Sequence, residues 1–171
     1  MRPPGPQVGL ACVAVLLVLT GCSHYGFSPA VRAGGPRTVA VPVLANETIE
    51  YGAEEGVTSA IIAALTENNA MRVVPESEAE AIVRGSVTLY ERPVLSYDAA
   101  GNPREYRVRV AASLSYDDRR SGTTIWSGTV EGWGVYALSG EGGGLTTEEQ
   151  ARAAAFEMLS EELLSKTVQG W

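Results

Sequence analysis

Apolar and polar positions alternate most clearly in the middle of the chain. Over residues 81–90, Val83, Gly85, Val87 and Leu89 take one side and Arg84, Ser86 and Thr88 the other, the period-two pattern of a strand buried on one face. After a turn at residues 98–103, Tyr106, Val108, Val110, Ala112, Leu114 and Tyr116 alternate with Glu105, Arg107, Arg109, Ser113 and Ser115. A second turn at residues 117–122 leads into residues 123–136, where Trp126 and Val130 oppose Ser127, Thr129 and Glu131, and Trp133 falls with the polar set. The three segments predict an antiparallel meander.

Upstream, residues 38–44 predict a first strand whose Pro42 cannot donate to a ladder, which places it at an edge or a bulge. Asn46-Glu47-Thr48 turns the chain, and that turn accounts for the glycosylation sequon it happens to spell. Val57, Ile61 and Leu65, with Ala60 and Ala64 beside them, form one apolar stripe of a helix over residues 54–68, ended by Asn68 and Asn69. A short strand at residues 71–74 stops at Pro75. Beyond a Gly-rich link at residues 139–144, Thr146-Thr147-Glu148-Glu149 reads as a capping box, opening a helix whose stripe is Ala155, Leu159 and Leu163, with Phe156 and Met158 alongside. Two amphipathic helices and one sheet with a single apolar face predict a two-layer α+β fold. Its sheet is expected to be mostly antiparallel, with both helices packed on one face. The other face is left to water or to a polar partner.

The first residues follow a different pattern. Arg2 precedes an uninterrupted apolar run at residues 10–19, half the roughly 20 residues a spanning helix needs. Leu19-Thr20-Gly21-Cys22 resembles the lipobox of bacterial lipoproteins, whereas the A-x-A pattern of a plain secretory signal is missing. The resemblance implies a signal peptide over residues 1–21, cleavage between Gly21 and Cys22, and acyl chains such as palmitate on Cys22. A lipidated tether at residues 22–36 and a single domain at residues 37–171 follow. Each buried CH2 of such chains contributes about 0.8 kcal/mol, so the mature form is expected to be anchored to a membrane without spanning it. Ser23, in place of an Asp after the lipidated Cys, implies sorting to the outer membrane.

Composition narrows the chemistry. The chain has 171 residues, 45% hydrophobic, with 13 Lys and Arg against 20 Asp and Glu, a formal charge of -7. That is a folded chain lacking the basic surplus of a nucleic-acid binder. One His and two Cys leave little room for a His-based triad, a Cys/His zinc site or a disulfide framework. His24, beside the anchor, lacks companions for metal binding or base catalysis. Gly140-Glu141-Gly142-Gly143-Gly144 lacks the Lys-Ser or Lys-Thr of a phosphate loop and reads as a flexible link. The adjacent acids Glu54-Glu55 and Asp117-Asp118 suit a helix entry and a turn. No catalytic residue, metal site or cofactor is expected, apart from the covalent lipid on Cys22.

Three stretches, in order, resemble the LptE family of small outer-membrane lipoproteins. Cys22-Ser23-His24-Tyr25-Gly26-Phe27 is similar to its lipidated, aromatic start, although Ser23-His24 replaces the usual Gly. Residues 37–48, with Val41-Pro42 and Asn46-Glu47-Thr48, resemble its strand and turn before a helix. Residues 97–108, with Tyr97-Asp98, Gly101 and Glu105-Tyr106-Arg107, resemble its Y-D-x-x-G-x-x-x-E-Y-R hairpin. The resemblance implies a non-enzymatic, lipid-anchored, periplasm-facing protein of the outer membrane. It also implies a complex with the LptD-type β-barrel, sitting largely in its lumen, that helps place lipopolysaccharide in the outer leaflet. The first half also resembles periplasmic lipoproteins of the LpoB and CsgG type, which regulate a peptidoglycan synthase or serve a secretion complex.

Arg104, Arg107 and Arg109, with Arg119 and Arg120 at the next turn, are the candidates for lipopolysaccharide phosphates and carboxylates, which planar guanidinium donors suit. The alternative is a solvated strand face whose charge is damped by neighbouring Glu105. Trp126 shares a strand face with Val130 and is expected in the core; Trp133 is the candidate for an exposed partner contact.

Overall fold

The computed structural model describes residues 35–69, 71–138 and 147–169. The proposed signal peptide, Cys22 and nearly all of the tether lie outside them, as does the Gly-rich link.

The predicted first strand is two short ones, β1 (Thr38–Ala40) and β2 (Ala45–Asn46), both parallel to β4 (Ala81–Glu91). Pro42 stands in the gap, where its missing N–H removes no ladder bond. The neighbouring Leu44 N–H donates instead to Thr58 Oγ1 at 3.1 Å, and Thr58 in turn donates to the Glu54 carbonyl at 2.6 Å. Thr58 belongs to α1 (Ala53–Glu67), which buries Val57, Ile61 and Leu65 as the stripe predicts. Asn68 closes it by donating from its side chain to the Ala64 carbonyl at 3.0 Å, and Asn69 takes a left-handed φ of 49°. β3 (Arg72–Val73) then pairs in parallel with β1.

That pairing corrects the expectation of a mostly antiparallel sheet: the sheet is mixed. A helix between β1 and β3 carries the chain back to the end where β1 began, so the two strands run the same way. The antiparallel part is long. β6 (Pro103–Asp118) pairs with β4 and with β5 (Val94–Tyr97) along one edge and with β7 (Thr123–Ala137) along the other. The α+β class stands.

The inner face carries Val83, Val87, Val108, Val110, Ala112, Leu114, Tyr116, Val130 and Tyr136 in one core with the helix stripes. A bulge at Thr88, between Val87 and Leu89, shifts the register, so Tyr90 rather than Leu89 packs on that core. α2 (Glu148–Gln169) follows Thr147, whose Oγ1 accepts from the Gln150 N–H at 3.2 Å; Thr146, where the capping box is expected to open, lies outside the described residues. Ala151, Ala155, Leu159 and Leu163 are buried, while Met158 falls outside the stripe and is exposed. α2 lies close on β7 because Gly132 and Gly134 face it: a Cβ on either would collide with the carbonyl oxygen of Ala155 or Ala151.

Candidate functional site

Among the described residues no helix covers the opposite sheet face along β6 and β7. Arg84, Ser86, Ser113, Ser115 and Ser127 line a shallow polar trough there, and toward the start of β6 the arginines stand in line. Strand period puts Arg107 and Arg109 on the same side, and pairing sets Trp133 directly opposite Arg109.

The two arginines have different surroundings. Arg109 lies between carboxylates on both flanking strands, 3.1 Å from Glu91 and 2.9 Å from Glu131. The hydrogen bonds it donates to Glu131 and then to Glu91 hold its pKa above the ordinary value. Glu105, the neighbour expected to damp this charge, accepts instead from Ser96 Oγ at 2.7 Å in the β5 hairpin. Arg107 stacks its guanidinium 5.0 Å from the ring centroid of Trp133, a cation–π arrangement. Its buried Nε has no hydrogen-bond partner, and no carboxylate pairs with it among the described residues. Trp133 remains 46% exposed, as the sequence led us to expect, and Trp126 packs against the core.

The five candidate arginines do not form one cluster. Arg104 is exposed at the start of β6 near Arg107. Arg119 and Arg120 follow the other end of the strand, roughly 40 Å from Arg107 at the usual rise per residue. There Arg119 donates to the carbonyls of Glu76 and Ala79, tying down the loop before β4. Arg120 pairs with Asp118 at 3.3 Å and with Glu80 at 3.9 Å. The hairpin expected at residues 98–103 is built by Asp98, whose Oδ1 accepts from the N–H groups of Ala100 and Asn102 at 2.9 and 2.8 Å, with Gly101 at a φ of 86°.

Sequence reading missed a second charged group at the end where β4 stops. Arg92 bridges Glu148 at 2.5 Å and Glu50 at 3.3 Å, and Arg152 stands 3.9 Å from Glu50. The partners come from separate stretches of the chain, so no local spacing announced them. Among the described residues no group of three His, Cys, Asp or Glu could hold a metal ion, and no helix is long and apolar enough to cross a membrane.

Two helices on one face of a mixed sheet is an arrangement shared with bacterial proteins that include lipoproteins. CT253 from Chlamydia trachomatis superposes with a TM-score of 0.54 at 8% identity, over 78% of this chain and 96% of that one. A minor lipoprotein from Acinetobacter baumannii gives 0.50 at 16%, over 78% and 94%. The PelC dodecamer from Paraburkholderia phytofirmans gives 0.50 at 18%, over 75% and 86%. At these identities the likeness is one of fold. Among curated proteins none matches the chain in sequence. The class the fold defines is that of small α+β proteins with two helices on one face of a mixed sheet. Within it, the model of the LptE family, described as lipopolysaccharide-assembly, matches residues 36–167, and the chain belongs to that family.

Proposed function

We propose that this chain is an outer-membrane lipoprotein, cleaved between Gly21 and Cys22 and acylated on Cys22. It faces the periplasm, forms a complex with the LptD-type β-barrel and helps insert lipopolysaccharide into the outer leaflet. It acts by binding, without catalysis and without a cofactor beyond its own lipid.

The observation that supports this reading best is Arg107. A guanidinium stacked on a half-exposed indole, with an unsatisfied Nε and no carboxylate of its own, is prepared to receive an anion on a face no described helix covers. Phosphate and carboxylate groups on a sugar suit it, with the indole against the apolar side of the ring. Arg104 is three residues from Arg107 along β6, on the other side by the strand period, so its contribution is expected to be smaller. Arg109, Arg119 and Arg120 would each have to exchange a present partner, so their contribution to lipopolysaccharide binding is expected to be smaller. Trp133 is exposed enough to touch either ligand or barrel.

The test is a pull-down of the tagged, Cys22-lipidated protein from detergent-solubilised outer membrane, with retained partners identified by mass spectrometry. A near-stoichiometric large β-barrel is expected. A peptidoglycan synthase or secretion ring with no barrel would instead favour the LpoB or CsgG type. In the same preparation Arg107→Ser, alone or with Arg109→Ser, should weaken binding of purified lipopolysaccharide by about tenfold, the scale of a charge-assisted hydrogen bond, with thermal unfolding unchanged. Equal binding by the double variant would remove the arginines from the site.

A further inference from the structure

The turn between β2 and α1 displays two apolar side chains to solvent. Ile49 is fully exposed and Tyr51 is 95% exposed, in a chain whose other large apolar residues are mostly buried. The backbone that carries them is held on every side. Asn46 Oδ1 accepts from the Thr48 N–H at 2.9 Å and from its hydroxyl at 2.8 Å, and Asn46 Nδ2 donates to the Glu50 carbonyl and to Glu54 Oε2, each at 2.7 Å. Between Ile49 and Tyr51, Glu50 is fixed by Arg92 and Arg152. The Asn-x-Thr triplet that reads in sequence only as a turn is therefore the clamp of a rigid protrusion. Single exposed apolar residues are ordinary, but two on an ordered tip meet a partner with little loss of loop entropy.

Charge around the tip selects the kind of partner. Glu47, Glu55 and Glu149 are exposed and have no ion-pair partner among the described residues. Anionic headgroups and lipopolysaccharide phosphates would be repelled there. A protein pocket with an apolar floor and a rim of Lys and Arg complements both features. Leu95, Tyr97 and Leu138 add exposed apolar area at the same end of the sheet. The chain enters the domain at the opposite end, where Val39 pairs with Ala81. Asn46, which clamps the tip, lies opposite Val87, six residues along β4 from Ala81, so the tip stands roughly 20 Å from the point of entry.

We infer that Ile49 and Tyr51 form a pre-ordered apolar knob, ringed by free carboxylates, that seats in a cation-rimmed apolar pocket of the barrel partner. The inference rests on the proposed function for the identity of that partner, and the site is separate from the arginine face.

The experiment uses the full-length lipidated protein co-expressed with the barrel. A photo-crosslinking phenylalanine replaces Tyr51, or Ser59 on the exposed side of α1 as a control, and the barrel retained by Ile49→Ser/Tyr51→Ser and by Glu47→Lys/Glu55→Lys is quantified. Crosslinks to the barrel are expected from position 51 and not from position 59. Both double variants should retain at least about tenfold less barrel, as loss of an interface anchor does, while thermal unfolding stays as in the wild type. Full retention of the barrel by the serine variant, or crosslinks from position 51 only to lipid or to another protein, would overturn the knob and leave the proposed function intact. Absence of the barrel from the wild-type pull-down would overturn both.

Discussion

Tyr116 is the largest of the fully buried side chains, its hydroxyl directed at Met71 Sδ at 3.0 Å. Burial pushes its phenol from 10.0 up to about 12. The raised value means that the folded protein holds the proton longer than the unfolded chain. The associated stability is full below pH 10 and is lost as the pH climbs toward 12. Denaturant unfolding between about pH 9 and pH 12 should show this decline, and Tyr116→Phe should make it shallower, because Tyr90 and Tyr136 are shifted the same way and remain. At this scale the sequence was informative about side-chain direction. It placed Tyr116 inward and Arg107, Arg109 and Trp133 outward, because side-chain direction in a strand follows from position alone. It could not say that Arg109 is neutralised and Arg107 is not, since Glu91 and Glu131 lie 18 and 22 residues from Arg109.

Among the elements, α2 and β7 are joined by a close backbone approach that Gly132 and Gly134 make possible. Gly132→Ala should force the helix outward and destabilise the protein by about 1–3 kcal/mol, the range for overpacking, read as a lower denaturant midpoint. Gly128→Ala should cost less, because its Cβ would meet the ring of Trp126, a side chain, rather than helix backbone. Both helices were legible in outline, since an i, i+4 stripe is a local property. The Thr88 bulge and the parallel placement of β1, β2 and β3 were not. Two- and three-residue strands carry too few alternations to reveal their partners, and a bulge inverts the alternation after it.

For the whole molecule, several surface carboxylates share one pH response. Glu80 is held below its usual value chiefly by the Arg37 backbone N–H, Asp98 by the Asn102 side chain, and Asp118 by the Arg120 guanidinium. Their lowered values mean that the stability they add is complete above the unfolded values of 4.5 for Glu and 3.8 for Asp, and disappears as the pH falls through the folded ones. Thermal midpoints should therefore hold from about pH 7 to about 5 and decline below about 4, and Asp98→Asn should flatten part of that decline. These groups fasten the hairpin tip, the β6 to β7 turn and the entry of β1, so acid should loosen the ends of the sheet before its middle.

By itself the sequence determined the α+β class, the inward set of strand residues as far as the Thr88 bulge allows, the two helices and the family, because periodicity and short motifs are written in neighbouring residues. The tertiary structure decided the mixed sheet order, the isolation of Arg107 on Trp133 and the clamped display of Ile49 and Tyr51. Each of these depends on residues brought together from distant parts of the chain, and such pairings leave no local pattern to read.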